Sequence, residues 1–498
     1  MLFNSIQFII FLPIVILIYF VVPQKIKNIW LLVASYYFYM SWNAKYAILI
    51  CTSTVITYLA GIAMDRIELS CSNEKKKIGY KRICIAVSFV LNLGILGYFK
   101  YTNFFLGLLK DAFSLININL NVPVFDILLP VGISFYTFQA LGYIVDIYRG
   151  EIYAEKNFLR YALFVSFFPQ LVAGPIERSK NLLKQLAVPK RFSFDNLREG
   201  LFIMLWGFFV KLVIADRAAI FVNTVYSDVD MYSGMYIAVA ACLFAIQIYC
   251  DFYGYSLIAK GSAKILSIDL MENFNYPYLR TSIADFWRGW HISLSTWFRD
   301  YLYIPLGGNR KGRIRKYINI MIVFMTSGLW HGASISFVIW GGLHGVYQII
   351  GDILKPIRNK INTIMQFDEN SLGCRIYRTI VTFGLSTFAF IFFRADSALM
   401  AFRAIKNMIT VYNPWIFVNG DIFSLGLDNK NIELLLLSLL ILLIADICKM
   451  KNIVIRELII SQNMWFRCLV VAVAITFILT FGIWGPGYSE ASFIYFQF

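Results

Sequence analysis

The chain has 498 residues, of which 59% are hydrophobic, 17% aromatic and only 15% charged, with a mean hydropathy of +0.66. Soluble domains carry about 25% charged residues and roughly half apolar ones, so this composition excludes an ordinary soluble enzyme, a disulfide-stapled secreted scaffold and a disordered chain. The net charge of +16 fits basic loops that set membrane topology; no basic stretch with interleaved aromatics of the RNA-binding kind accompanies it, so no nucleic-acid partner is expected.

What remains is an all-α, multi-pass transmembrane bundle, because lipid leaves an open backbone unsatisfied. Apolar runs fall near 2–22, 29–64, 83–106, 124–148, 159–174, 199–215, 233–254, 318–350, 377–394, 432–447 and 466–484. The first has no basic leader and no small-residue cleavage site, and reads as a retained membrane helix. Runs 29–64 and 318–350 exceed the roughly 20 residues of one crossing. Each reads as two helices or a re-entrant pair, the first broken around Asn43. The expectation is roughly 10–13 membrane segments, some re-entrant or interfacial, around a central cavity. With no internal repeat or low-complexity linker, residues 1–498 read as one membrane domain.

Charge places the connections. The basic stretches 65–82, 178–198 and 260–316 read as cytoplasmic, and 111–122 and 216–233 as external. The eight cysteines form no C-x-x-C pair and lie mostly in apolar runs, so they read as reduced core residues.

Residues 281–301, TSIADFWRGWHISLSTWFRDY, break the membrane pattern. At 100° per residue, Phe286, Trp290, Leu294, Trp297 and Tyr301 share one face, while Arg288, His291, Ser295 and Arg299 share the other. The spacing predicts one amphipathic helix with a Ser282/Asp285 capping box, stopped by Pro305, Gly307 and Gly308. Such a helix lies in an interface or lines a cavity. A histidine on its polar face is, taken alone, a solvated one.

The chain has only three histidines, His291, His331 and His344. His331 lies 15 residues beyond Lys316, the end of a basic loop. At about 1.5 Å per helical residue it sits some 20 Å past that loop, near the middle of the hydrocarbon layer. An ionisable group there defaults to a functional hypothesis, and a neutral imidazole can accept a proton. The residues alone leave a packing histidine equally open. Gly328 and Gly332 suit close approach of a ligand or of a helix. His344, among Gly341, Gly342 and Gly345, reads as structural.

Other candidates are weaker. The loop 307–313, GGNRKGR, can hold phosphates or simply mark the cytoplasmic side. Asp126, Asp146, Glu177 and Asp251 read as structural acids that orient polar networks or pair with Arg149 or Arg178. No H-E-x-x-H motif or Cys/His cluster occurs, so no metal is expected; nor does a G-x-S-x-G elbow or a Walker A sequence.

The runs DFWRGWHISLSTWFRDYLYIPLGGNR (285–310) and SGLWHGAS (327–334) resemble the membrane-bound O-acyltransferase family, in particular its bacterial alginate O-acetylase-like branch. PVGISFYTFQALGYIVDIYRG (130–150), FPQLVAGPIER (168–178), DFYGYS (251–256) and FIYFQF (493–498) extend the resemblance along essentially the whole chain.

The resemblance implies that His331, in the W-H-G-A-S motif, is catalytic and that His291 is the second family histidine. It implies transfer of an acyl group from a cytoplasmic thioester to a hydroxyl. The donor expected in this branch is acetyl-CoA, a substrate rather than a cofactor. The expected acceptor is an extracytoplasmic polysaccharide, reached with an exported partner acyltransferase at the cytoplasmic membrane of a bacterial-type cell. One site must then be reachable from both faces. Arg288, Ser295, Arg299, Arg310, Lys311, Arg313 and Trp330 are the candidate substrate- and donor-binding residues. Two other classes stay open on the residues themselves: a transporter of an acyl donor or lipid-linked sugar, and a scaffold for polysaccharide synthesis.

Overall fold

The computed structural model describes residues 1–123, 125, 129–172, 174–366, 368–484 and 494. The described residues are predominantly helical and contain no strand. Seven of the described helices are long and apolar enough to cross a membrane. Large apolar side chains stand exposed along their outer faces: on one C-terminal helix Trp465, Leu469, Val473 and Leu479 are all more than half exposed. A contiguous surface of this kind is made for lipid, and the protein is a multi-pass all-α membrane protein. The chain divides into two compact units, residues 1–204 with 258–271, and residues 205–257 with 272–498.

The first unit holds α1 (Ile6–Val21), α2 (Gln24–Met40), α3 (Ala47–Ser70), α4 (Glu74–Ser114), α5 (Ile133–Tyr148), α6 (Phe158–Ser166), α7 (Phe168–Leu171) and α8 (Ser179–Ala187). The expected break at Asn43 is present: its side chain accepts from Lys45 N at 3.1 Å and caps a short turn between α2 and α3. The stretch 65–82 differs from a loop. Only residues 71–73 leave the helical path, and Glu68 reaches across the turn to Lys77 and Lys81. Polar contacts lock the apolar helices where water is absent. Ser53 Oγ donates to Asn92 Oδ1 between α3 and α4, and Tyr161 OH donates to Thr57 Oγ1 between α6 and α3.

The acids sit in polar networks, and Arg178 lies close enough to Glu177 to favour its charged form, as expected. Ser179 Oγ donates to Asp146 Oδ2 at 2.6 Å. Glu177 is buried and accepts from Met271 N and Asn181 Nδ2; burial pushes its carboxyl above the usual range, and the Met271 and Asn181 hydrogen bonds pull the other way. Asp126 lies outside the described residues, as do all of 493–498 except Ile494.

Next come α9 (Phe194–Phe208), α10 (Asp216–Ser227) and α11 (Met235–Ile265). In the second unit, a wider π-type winding at Phe209–Ala215 joins α9 to α10. It carries Lys211, which pairs with Asp251 at 2.6 Å and Asp216 at 2.7 Å, all three side chains at most 4% exposed. Gly254 permits this approach, since a Cβ there would press on the Lys211 backbone. A single buried cation between two carboxylates satisfies charges that lipid cannot.

The rest of the second unit is α12 (Ile283–Gly289), α13 (Ile292–Phe298), α14 (Gly312–His331), α15 (Ile335–Ile364), α16 (Leu372–Arg394), α17 (Ala398–Thr410), α18 (Asn429–Met450), α19 (Ile455–Ile460) and α20 (Met464–Phe481). The long run 318–350 is a hairpin: α14 ends at His331, and α15 starts after Ser334, whose Oγ accepts from Ser336 N. The glycines are there for packing. A Cβ on Gly328 would strike the Phe337 carbonyl, and one on Gly341 the Phe324 carbonyl. Ser336 Oγ donates to Phe392 O at 2.6 Å and ties the start of α15 to α16.

A candidate active site of paired histidines

The helix expected over 281–301 is interrupted. Its start is as expected: Asp285 N donates to Ser282 Oγ at 3.2 Å, and Ser282 Oγ donates back to Asp285 Oδ2 at 2.8 Å. At His291 the backbone then turns left-handed, with φ 41° and ψ 54°, and splits the segment into α12 and α13. A non-glycine residue in that region is held there by its surroundings. Asn275 N donates to Gly289 O, and Ile292 N donates to Asn273 O, both at 2.9 Å, on either side of the histidine. Asn273 also accepts from Ser293 Oγ at 2.6 Å and donates to Ser256 Oγ on α11 at 3.0 Å. The turn sends the imidazole inward. His291 is 0% exposed rather than solvated on a polar face.

His331 arrives from the other side of the sequence. It is the last residue of α14, where Gly332 leaves the helical path, and it is 4% exposed. Its ring lies 6.3 Å from that of His291, centre to centre. Trp330 packs beside both, 4.9 Å from His331 and 5.9 Å from His291. Trp340 at 5.1 Å and Phe393 at 5.3 Å wall the far side of His331, and Phe252 stands edge-on to His291 at 4.7 Å. Four elements, α11, the α12–α13 turn, the α14–α15 hairpin and α16, thus meet on two imidazoles. The enclosure is tight and aromatic, so a reacting group held there meets little water.

The structure brings together His291, His331 and Trp330 of the candidate residues and leaves the others apart. Arg288 pairs with Asp285 at 2.7 Å and Arg299 with Asp300 at 2.8 Å, both side chains largely exposed. Ser295 Oγ donates to Trp290 O within its own segment. Arg310, Lys311 and Arg313 are exposed on the turn before α14. That turn is fixed by Asn319 Nδ2, which donates to Gly308 O at 2.9 Å. From Gly312 to His331 the helix rises about 28 Å, so this basic turn and the imidazole pair occupy opposite ends of α14. Phe252, Trp340 and Phe393 were not singled out from sequence. Phe252 lies in the DFYGYS motif, while Trp340 and Phe393 carry no local signal.

Two buried imidazoles 6.3 Å apart on separate elements suit proton removal from a hydroxyl and stabilisation of the oxyanion that forms when it attacks an acyl group. In a chain with seven described helices long and apolar enough to cross a membrane, this arrangement is one that acyl transfer within the bilayer can use. Residues 152–393 match the model of MBOAT, the membrane-bound O-acyltransferase family. The chain is 34% identical over 448 residues to a probable alginate O-acetylase AlgI of Azotobacter vinelandii, covering 90% of this chain and 85% of that protein. It is 34% identical over 441 residues to a peptidoglycan O-acetyltransferase of Helicobacter pylori, covering 82% and 80%. It is 28% identical over 289 residues to a teichoic acid D-alanyltransferase of Bacillus subtilis, covering 54% and 70%. The chain belongs to the membrane-bound O-acyltransferase family and is an O-acyltransferase.

Proposed function

We propose that this protein moves an acetyl group from acetyl-CoA on the cytoplasmic side to an acceptor used for O-acetylation of an extracytoplasmic polysaccharide, in the cytoplasmic membrane and with an exported acyltransferase as partner. The observation that carries the reading is the 6.3 Å approach of His291 and His331 inside one aromatic enclosure. The O-acetylating relatives support acetyl as the group; alginate and peptidoglycan as acceptors belong to those relatives.

His331 takes the proton from the acceptor hydroxyl as its oxygen attacks the thioester carbonyl. The C–O bond forms, the C–S bond breaks, and the CoA thiolate leaves and takes up the proton. The His331 imidazolium formed in passing lies at the carbonyl end of α14, where the helix dipole favours positive charge. His291 donates a hydrogen bond to the oxyanion. Arg310, Lys311 and Arg313 draw the anionic donor to the cytoplasmic end of α14, leaving its thioester arm to reach up the helix.

The test is full-length protein in lipid vesicles with labelled acetyl-CoA. Release of CoA with label on a polysaccharide or on a partner hydroxyl supports the proposal. Passage of an intact labelled solute without CoA release makes the protein a transporter and overturns it.

A further inference from the structure

His344 is given no part in this chemistry, yet all three histidines of the chain fall in one connected cluster. His344 is 0% exposed, ringed by Phe286, Trp287, Phe324, Trp340 and Phe390. A phenylalanine would fill such a site without the cost of burying a polar ring. What the imidazole adds is one directional contact: Trp287 Nε1–H donates to His344 Nδ1 at 3.2 Å. Accepting at Nδ1 places the proton of the neutral ring on Nε2.

This bond joins the two halves of the site. Trp287 lies on α12, four residues before His291. His344 lies on α15, one turn beyond Trp340, whose ring packs 5.2 Å from His344 on one side and 5.1 Å from His331 on the other. Aromatic packing alone sets spacing but leaves ring rotation and helix register soft. The hydrogen bond fixes both, because Trp287 also packs on Trp340 at 5.8 Å.

We infer that His344 is a positioning residue: its Nδ1, by accepting from Trp287, holds the His291 segment in register with the hairpin that carries His331. The inference rests on the reading of His291 and His331 as the transferring pair. It predicts that His344→Phe and Trp287→Phe each lower kcat about tenfold, with the donor KM changed less than about twofold. The double variant falls no further than either single, since both remove the same contact. His344→Asn, which offers an amide oxygen near the Nδ1 position, recovers most of the loss.

The experiment measures kcat and KM for labelled acetyl transfer in vesicles for the full-length protein, these four variants and His331→Ala. A wild-type kcat in His344→Phe, losses that multiply in the double variant, or an asparagine variant no better than phenylalanine each overturns the inference. Activity surviving in His331→Ala instead removes the underlying assignment, so the two failures are distinguishable. If His344→Phe does not fold, Trp287→Phe in protein labelled with 15N-histidine gives a second reading. Only three side-chain ring systems contribute, and the Nδ1 signal of one must move when its donor is removed. No movement overturns the inference.

Discussion

Gly328 tests whether the α14–α15 hairpin is held by close backbone contact. A Cβ at this position would lie against the Phe337 carbonyl oxygen, a backbone atom of α15 that no rotamer change can move. Gly328→Ala therefore forces the two helices apart beside His331. Overpacking of this kind costs about 1–3 kcal/mol, enough to shift an unfolding equilibrium by roughly 5- to 150-fold. Gly342 is the internal control. It lies on α15 with nothing within 4 Å of an added Cβ, and its alanine variant is neutral or gains up to about 1 kcal/mol from helix propensity. Equilibrium unfolding in mixed detergent, followed by tryptophan fluorescence, separates the two. Transfer assays on the same samples should show a loss of kcat in Gly328→Ala only, because the separation displaces Trp340 from His331. Equal stability and activity of the two variants would refute the reasoning.

Lys211→Met leaves Asp216 and Asp251 buried without their shared cation, a cost of about 3–5 kcal/mol. The expected outcome is loss of monodisperse protein on size-exclusion chromatography, recovered when both acids become asparagine; a stable single variant contradicts the pairing. Replacing Arg310, Lys311 and Arg313 together with Gln should raise the donor KM about tenfold or more while kcat stays within about twofold, and an unchanged KM in initial-rate measurements rejects their role. Ser336→Ala removes the bond to Phe392 O and should cost about 1 kcal/mol of stability in the same unfolding assay; no loss means the α15–α16 contact is carried by packing alone.

Much of this molecule can be read from the chain because lipid enforces simple rules. Most of the apolar runs became helices, the run 159–174 instead forming the short α6 and α7, and the two runs too long for one crossing broke where polar or flexible residues allowed, at Asn43 and after His331. His331 stood out because an ionisable residue deep in an apolar run is rare. The inward turn of His291 was not legible. Its helical periodicity placed it on a polar face, and the left-handed kink that overrides the pattern is imposed by Asn273 and Asn275, which no local rule connects to it. The partner of Asp251 was missed for a similar reason. Lys211 sits in an apolar run, and their pairing follows from tertiary packing through Gly254. Trp340 and Phe393 are ordinary aromatic core residues by spacing, and only the fold puts them against His331.

The most direct test of the account replaces one side chain. Full-length His331→Ala in vesicles supplied with labelled acetyl-CoA is predicted to lose about 10²–10⁴-fold in kcat, the worth of a general base, while inserting and unfolding as the unaltered protein does. Transfer at close to the unaltered rate would contradict it.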